Sequence, residues 1–215
     1  MKRFLLLLFM FGILPSNHSN AQLLKSYGIK TAFTSADQKF DFFFRGEHIF
    51  LETKRRTGLN AGVFFEWFDI PYFSLVTQLE YAQRGMRQEI LDVRGVNRSV
   101  YTSLFDNRLD YLSIPVLAKF SLPAKNVRPF LLAGPRIDFL LHYKSEGSIN
   151  NSIYDDFKKS VVGGSIGAGV ETRTILPIHL IAEVRYNIDL ADSYSTKVLS
   201  VRNNSFDFWL GIAVK

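Results

Sequence analysis

Residues 180–188 read LIAEVRYNI, and the predicted fold depends on the pattern in this stretch. Apolar and polar side chains alternate along it: Leu180, Ala182, Val184, Tyr186 and Ile188 against Glu183, Arg185 and Asn187. A period of two residues is typical of a β-strand, because successive side chains point to opposite faces of a sheet. One face of this strand is therefore apolar and the other is charged.

The same alternation occurs in seven further segments: residues 27–34, 59–67, 73–84, 111–120, 131–142, 162–171 and 206–215. Segments of about ten residues are longer than most strands of soluble sheets and suffice for a tilted crossing of a bilayer. The connections alternate in length, with short ones at 69–71, 121–127 and 172–177 and long ones at 35–57, 86–108, 143–159 and 189–204. This alternation is typical of transmembrane barrels.

The first 21 residues are predicted to be a signal peptide. Lys2 and Arg3 precede an apolar run over residues 4–14, and a polar segment ends at Ala21, where we expect cleavage. The run is shorter than the roughly 20 residues that a membrane-spanning helix needs. Residues 22–215 are then one barrel domain with 24 basic and 20 acidic residues. This small net positive charge predicts no nucleic-acid partner.

The polar faces of the eight segments carry five basic and six acidic residues: Lys30, Glu66, Glu80, Arg84, Lys119, Arg136, Asp138, Glu171, Glu183, Arg185 and Asp207. Because eight strands leave an interior just wide enough for side chains, we expect these charges to pair in a plugged lumen. Glu66 and Glu80 are predicted to pair with Arg84 and Arg136. An acid–base role for the two glutamates is disfavoured, because a symmetric turn at 69–71 places Asn60 opposite Glu80.

The apolar faces distinguish a membrane barrel from a soluble sandwich. Each segment presents four or five consecutive apolar positions without a charge, and aromatic residues lie near the ends, as in a lipid-facing band with aromatic girdles. The predicted lipid-facing aromatics are Trp67, Phe73, Tyr81, Tyr186, Phe206 and Phe208. The predicted fold class is therefore all-β: an eight-stranded antiparallel transmembrane β-barrel with short periplasmic turns and long extracellular loops.

The glycine-rich run GGSIGAGVE, residues 163–171, is interpreted as a strand and not as a phosphate-binding loop. A P-loop has Lys and Ser or Thr after its last glycine, whereas Val170 and Glu171 follow here. A symmetric turn at 172–177 predicts Gly167 opposite Glu183 and Ser165 opposite Arg185. It also places Gly164 opposite Tyr186, whose ring would cover the glycine on the lipid face.

Six short motifs occur in an order that resembles a known family: Ala21-Gln22, Gln78-Leu79-Glu80-Tyr81 leading to Gly85, Tyr111-Leu112-Ser113-Ile114-Pro115, Arg128-Pro129-Phe130 leading to Ala133-Gly134-Pro135, Gly167-Ala168-Gly169-Val170-Glu171, and Glu183-Val184-Arg185-Tyr186. Together they resemble the PorT-like outer-membrane β-barrel proteins of Bacteroidota. The resemblance implies an eight-stranded barrel in the outer membrane, and some members of that family assist the type IX secretion machinery. One departure is the end of the chain, Ala213-Val214-Lys215, where many outer-membrane barrels carry an aromatic residue.

Catalysis is not expected. After removal of the signal peptide three histidines remain, His48, His142 and His179, and His142 lies near Ser145 and Glu146 in sequence. A triad needs a nucleophile, a base and an orienting acid in one place, and a single His beside a Ser is common by chance.

Cofactors and metals are not expected either, since the chain has no cysteine and no pair of histidines at ligand spacing. Asp106 and the pair Asp155-Asp156 are interpreted as solvated loop residues and not as a calcium site. The basic loop residues Arg87, Arg94, Arg98, Arg108 and Lys54–Arg56 are solvated in the simplest interpretation, and contact with outer-leaflet phosphates is the alternative.

The sequence thus predicts a non-enzymatic outer-membrane protein with a structural, interaction or secretion-accessory role. We expect a monomer whose partners are outer-membrane lipids and another envelope or secretion protein, met through the extracellular loops. Three alternatives are a narrow solute channel, a lipid-modifying enzyme, and a soluble lipocalin-like barrel.

Overall fold

The computed structural model describes residues 23–94, 99–122, 124, 126–146, 156–173 and 178–214. The predicted signal peptide lies outside these residues. The described strands are β1 (Leu24–Phe44), β2 (Glu47–Glu52), β3 (Lys54–Trp67), β4 (Phe73–Arg94), β5 (Ser99–Ser121), β6 (Val127–Glu146), β7 (Ser160–Arg173), β8 (Ile178–Asp189), β9 (Tyr194–Ser195) and β10 (Leu199–Val214). Among the described residues no helix has the length and apolar character to cross a membrane.

Eight of these strands form a closed antiparallel ring in the order β1, β3, β4, β5, β6, β7, β8 and β10. The ring closes because β10 pairs with β1 from Tyr27 opposite Val214 to Phe42 opposite Leu199. The remaining strands are additions at the extracellular end, where β2 pairs with the end of β1 and β9 with the start of β10. The predicted eight-stranded barrel is confirmed.

Several strands are longer than the sequence pattern indicated. β1 continues to Phe44, β4 continues to Arg94 and β5 begins at Ser99, so much of the predicted loops 35–57 and 86–108 is paired strand. Alternation of apolar and polar residues marks only the part of a strand that touches lipid. Beyond it the hairpins keep their backbone hydrogen bonds without that pattern, and the sequence therefore places the strand ends too early.

The outer surface of the ring is apolar. Outward positions such as Ile29, Phe33, Leu131 and Ile166 are exposed by 62% or more, as expected of side chains that contact lipid. The six predicted lipid-facing aromatics also lie on this surface: Tyr81, Phe206 and Phe208 are exposed, whereas Trp67, Phe73 and Tyr186 are half-buried.

The half-buried aromatics are partly covered by neighbouring rings. Tyr186 packs on Phe206 with 4.6 Å between the ring centroids, and Phe73 packs on Phe120 at 5.3 Å. Ring pairs of this kind add to the stability of adjacent strands.

The predicted pairing across two hairpins is wrong by two residues. Gly167 lies opposite Arg185 and not Glu183, and Ile166, not Gly164, lies opposite Tyr186, so the ring of Tyr186 does not cover a glycine. In the β3–β4 hairpin, Gly62 lies opposite Glu80 in place of Asn60. The centre of each hairpin is one residue later than a symmetric turn assumes, and a shift of two leaves every side chain on its predicted face.

Glycine at position 167 is required by the close approach of β8. A Cβ atom there would lie 2.6 Å from the carbonyl oxygen of Val184 and 3.2 Å from the Cα of Arg185. We predict that Gly167→Leu destabilises the barrel by about 1–3 kcal/mol, the usual effect of overpacking. The folded fraction is read from the heat-dependent shift in electrophoretic mobility.

The matched control is Gly164→Ala in the same strand, where the nearest atom to an added Cβ is the Leu190 Cδ1 at 3.8 Å. This variant should fold like the wild type. Equal folding of Gly167→Leu and Gly164→Ala would contradict the packing argument.

Candidate functional site: the filled lumen

The eleven charged residues predicted to face the lumen are all buried: Lys30, Glu66, Glu80, Arg84, Lys119, Arg136, Asp138, Glu171, Glu183, Arg185 and Asp207. They alternate along their strands with the exposed apolar positions, so their side chains point into the barrel. Ten of them fall into three groups stacked along the barrel axis, and Asp207 is held separately by neutral donors.

The first group lies at the periplasmic end. Glu66 accepts hydrogen bonds from Lys25 at 2.7 Å and Lys119 at 3.0 Å, and Lys119 also donates to Glu171 at 2.9 Å. His179 lies 3.2 Å from the other oxygen of Glu171. Lys25 and His179 were not among the predicted lumenal residues, because they lie at the outer limits of the alternating segments.

The central group is built around Arg185. Its guanidinium donates to Glu80 at 2.8 Å and to Glu183 at 2.7 Å, and Lys30 lies 3.4 Å from Glu183. The indole of Trp209 packs beneath both cations, 4.7 Å from the Lys30 Nζ and 5.2 Å from the Arg185 Cζ. The two cations and two carboxylates therefore neutralise one another, and both cations also contact an aromatic ring. These contacts lower the free-energy cost of burying the four charges.

The third group lies toward the extracellular end. Arg84 donates to Asp138 at 2.6 Å, and Arg136 joins Asp138 to Asp189 by donating to both, at 2.6 Å to Asp189. A separate set of neutral donors, Thr34 and Asn187, hydrogen-bonds the carboxylate of Asp207. The predicted pairing of Glu66 and Glu80 with Arg84 and Arg136 is wrong, because the stagger of the strands sets these residues at different heights.

An apolar layer separates the periplasmic group from the central one. Its members are buried side chains that point inward: Phe64, Val76, Leu117, Phe130, Leu132, Ile181 and Ala213. The alternation along the strands does not reveal this layer, because outward neighbours such as Leu131 are also apolar. A signal was present in the spacing: Phe64 and Leu117 each lie two residues before a lumenal charge, Glu66 and Lys119.

A second apolar layer covers the extracellular end of the lumen. Leu109, Tyr111, Phe157 and Val201 form a buried cluster, and Tyr194 packs on Phe157 with 5.8 Å between ring centroids. The backbone N–H of Lys158 donates to the carbonyl of Ser193 at 2.8 Å, which holds this covering segment against β9.

The space left inside is small. A cavity of about 20 Å³ lies within the lower apolar layer, bordered by Phe64 and Phe130 and reaching Glu66 on the periplasmic side and Lys30 on the central side. That volume holds about one water molecule. A second cavity of about 20 Å³ opens at the periplasmic end beside Lys25, Arg128 and His179.

Among the described side chains, the residues considered for catalysis do not come together; the side chain of Glu146 lies outside the described residues. His142 is exposed and stacks on Tyr143 with 6.3 Å between ring centroids, whereas the hydroxyl of Ser145 donates to Asn107. His48 hydrogen-bonds Asp41 at 2.9 Å at the extracellular end, and His179 lies at the opposite end of the barrel.

Three of the extracellular basic residues considered for phosphate contact, Arg55, Arg56 and Arg108, have carboxylate partners. Arg108 pairs with Asp110 at 2.7 Å, and Arg56 pairs with Asp106 at 2.7 Å. Asp106 is one of the carboxylates considered for calcium, and its ion pair with Arg56 occupies it. Arg98 and Asp155 lie outside the described residues, and so does the side chain of Arg94. In the described part of the chain no three His, Cys, Asp or Glu residues are grouped as metal ligands.

A closed antiparallel ring with an apolar exterior and an ion-paired interior defines an outer-membrane β-barrel protein. Residues 20–195 match the outer membrane protein beta-barrel domain family, and the chain belongs to this family. The protein is therefore placed in the outer membrane. No curated protein matches the chain in sequence.

Solved outer-membrane barrels share the fold. The outer membrane protease OmpT from Escherichia coli aligns at 12% identity and a TM-score of 0.52, over 93% of this chain and 99% of OmpT. AlkL aligns at 12% identity and a TM-score of 0.53 over 94% of both chains. OprG from Pseudomonas aeruginosa gives 10% identity and a TM-score of 0.50, over 89% of this chain and 96% of OprG.

Removal of Arg185 should destabilise the barrel strongly. Arg185→Met leaves Glu80 and Glu183 buried with Lys30 as their remaining cation, and breaking a buried ion pair costs about 3–5 kcal/mol. The free energy of unfolding is measured by urea titration in lipid vesicles. Arg185→Met combined with Glu183→Gln should recover part of the loss.

The control is Arg202→Met, which removes a surface pair in which Arg202 lies 2.7 Å from Asp192 and is 54% exposed. A pair of this kind contributes about 0–1 kcal/mol. If the two single variants unfold at the same urea concentration, the lumenal network does not stabilise the barrel.

Proposed function

We propose that this protein is a non-enzymatic, PorT-like accessory of secretion that acts through contacts of its extracellular end with another envelope protein. The filled lumen is the observation that carries the proposal. A barrel whose interior is occupied by its own ion pairs and apolar layers presents its outer surface and its ends as the parts available for function.

The lumen argues against the alternative of a narrow solute channel. A solute crossing it would separate the pairs of Arg185 with Glu80 and Glu183, and would also displace the ring of Phe64 in the lower apolar layer. Apolar constrictions resist ions because they exclude water. These barriers lie in series along the axis, which supports a closed barrel.

The alternative of a lipid-modifying enzyme receives little support from the side chains. OmpT shows that the fold is compatible with catalysis, so the proposal rests on the residues and not on the fold. His142 has its ring against Tyr143, and Ser145 is engaged by Asn107. Deletion of the gene should leave the lipid A and phospholipid profiles unchanged, and a change restored by the wild type but not by His142→Ala would favour the enzyme.

The folded protein should be electrically silent in planar bilayers. The double variant Phe64→Ala/Phe130→Ala removes two rings from the lower apolar layer, and we expect it to stay silent because the ion-paired groups and the second apolar layer still close the lumen. Phe65→Ala is the matched control, because Phe65 is 41% exposed on the outer face of the same strand as Phe64. Resolved conductance steps from the wild type would favour the channel.

Secretion is tested in the organism that carries the gene. Deletion should reduce the amount of type IX cargo in the medium, with the cargo retained in the periplasm, and expression of the wild-type protein should restore it. Cargo proteins are quantified by mass spectrometry in both fractions. Unchanged export after deletion would remove the secretion role and leave a structural one.

A further inference from the structure

The extracellular end of β1 and the strand β2 form a two-stranded ribbon, residues 40–52, that stands beyond the barrel mouth. The two strands pair from Lys39 opposite Glu52 to Phe44 opposite Glu47, and the turn between them contains Arg45 and Gly46 in left-handed conformations. Every residue of β2 is exposed.

One face of the ribbon is largely apolar, whereas the opposite face mixes Phe43 and Phe50 with Asp41, His48 and Glu52. The face that continues the lumenal side of β1 carries Phe42, Phe44, Ile49 and Leu51, with exposures of 37% to 61%. On the opposite face Phe50 is 72% exposed and stacks on His48 with 6.1 Å between ring centroids. A contiguous apolar patch on an exposed hairpin marks an interaction site.

Charged pairs separate the ribbon from the lipid-facing band. Above Phe33, the outward positions of β1 are Ser35, Asp37 and Lys39. Asp37 pairs with Arg55 at 3.2 Å and Lys39 pairs with Glu52 at 2.8 Å.

The ten residue-to-residue steps from Phe33 to Phe43 span about 33 Å of strand, or roughly 25 Å along the membrane normal at the usual barrel tilt. The apolar side chains of the ribbon therefore lie well outside the hydrocarbon layer. Lipid does not account for them.

One edge of the ribbon has its backbone groups available. The other edge, on β1, is paired with β10, and the N–H of Phe43 donates to the carbonyl of Val198 at 2.9 Å. Within the part of the chain that the structure describes, β2 pairs with β1 alone. An exposed, apolar strand edge is a template for the addition of another strand.

The charges of β2 select among possible occupants. Two copies in one membrane have their β2 strands running in the same direction, so edge-to-edge contact is parallel and sets Glu47 beside Glu47 and Glu52 beside Glu52. Like charges placed opposite each other destabilise a strand pair. An extended segment with an apolar centre and basic residues at its ends fits this edge. Its apolar side chains would meet Ile49 and Leu51, and its basic residues would lie beside glutamates.

We infer that β2 is a docking edge for an extended segment of another protein, with alternating apolar residues between basic ends, which adds to the sheet as a strand. The inference rests on the proposed function in that it names the surface through which the partner is held. The backbone of β2 supplies the hydrogen bonds, and Ile49 and Leu51 receive the apolar side chains of the segment. Glu47 favours a basic residue at one end, and the second carboxylate oxygen of Glu52, whose first oxygen bonds Lys39, favours one at the other end.

The test uses labelled synthetic peptides and the full-length protein in lipid nanodiscs. One peptide has alternating Val and Thr between two lysines, and the second has glutamates in place of the lysines. Fluorescence anisotropy should show binding to loaded but not to empty nanodiscs, with the lysine peptide at least about tenfold tighter, a difference of about 1.4 kcal/mol. Absence of binding, or equal binding of both peptides, overturns the inference.

Three variants locate the site. Ile49→Lys should weaken binding of the lysine peptide by at least about tenfold, and Glu47→Lys should shift the preference toward the glutamate peptide. Val198→Lys is the matched control: Val198 is 60% exposed on the segment that bonds the β1 edge of the ribbon, and its replacement should change the affinity by less than about twofold. Equal loss from Val198→Lys and Ile49→Lys would remove β2 from the site.

A single label excludes the other occupants. The chain has no cysteine, so Phe50→Cys provides a unique position for a fluorophore. Quenching by brominated lipids would place the ribbon in the bilayer, and disulfide-linked dimers of this variant would assign the edge to a second copy. Either result overturns the inference.

The secretion assay separates this inference from the proposed function. If deletion leaves export unchanged while the lysine peptide still binds at β2, the proposed function fails and the docking edge stands. If deletion impairs export and expression of the Ile49→Lys variant restores export as fully as expression of the wild type, β2 is not the surface that supports secretion.

Discussion

Closure of the sheet between β1 and β10 is the constraint on which the rest of the structure depends. In hydrocarbon no water is present to bond an open strand edge, so each backbone N–H and C=O must find a partner within the protein. Pairing of Tyr27 through Phe42 with Leu199 through Val214 provides those partners for the first and last strands. Once the ring is closed, every strand has one face in lipid and one in a narrow interior, and the two-residue period of the sequence follows.

The interior then sets its own requirement. Side chains that point inward have little room and almost no water, so a charge is tolerated there when an opposite charge lies beside it. The central group meets this requirement with Lys30 and Arg185 against Glu80 and Glu183, and Trp209 fills the space beneath the cations. Packing and charge balance thus close the lumen together.

Much of this arrangement could be predicted from the sequence, and the failures have physical causes. Eight strands and their inward charges follow from alternation, which lipid on one side enforces. Which charges meet depends on the stagger of the strands around the ring, and no local pattern contains it. Glu66 and Arg84 both point inward, but they belong to groups at opposite ends of the lumen. The inward Leu132 was missed because the outward Leu131 beside it is equally apolar.

The way in which the central group is assembled has a consequence for folding kinetics. Its ion pairs join residues far apart in the chain, with sequence separations of 153 for Lys30 and Glu183 and 105 for Glu80 and Arg185. Contacts of such long range form late, because the entropy of closing a large loop must be overcome first. The group is therefore complete only when the two ends of the chain meet, and unfolding must break it together with the seam. Ion pairs that form last in folding would then slow the unfolding of the closed barrel.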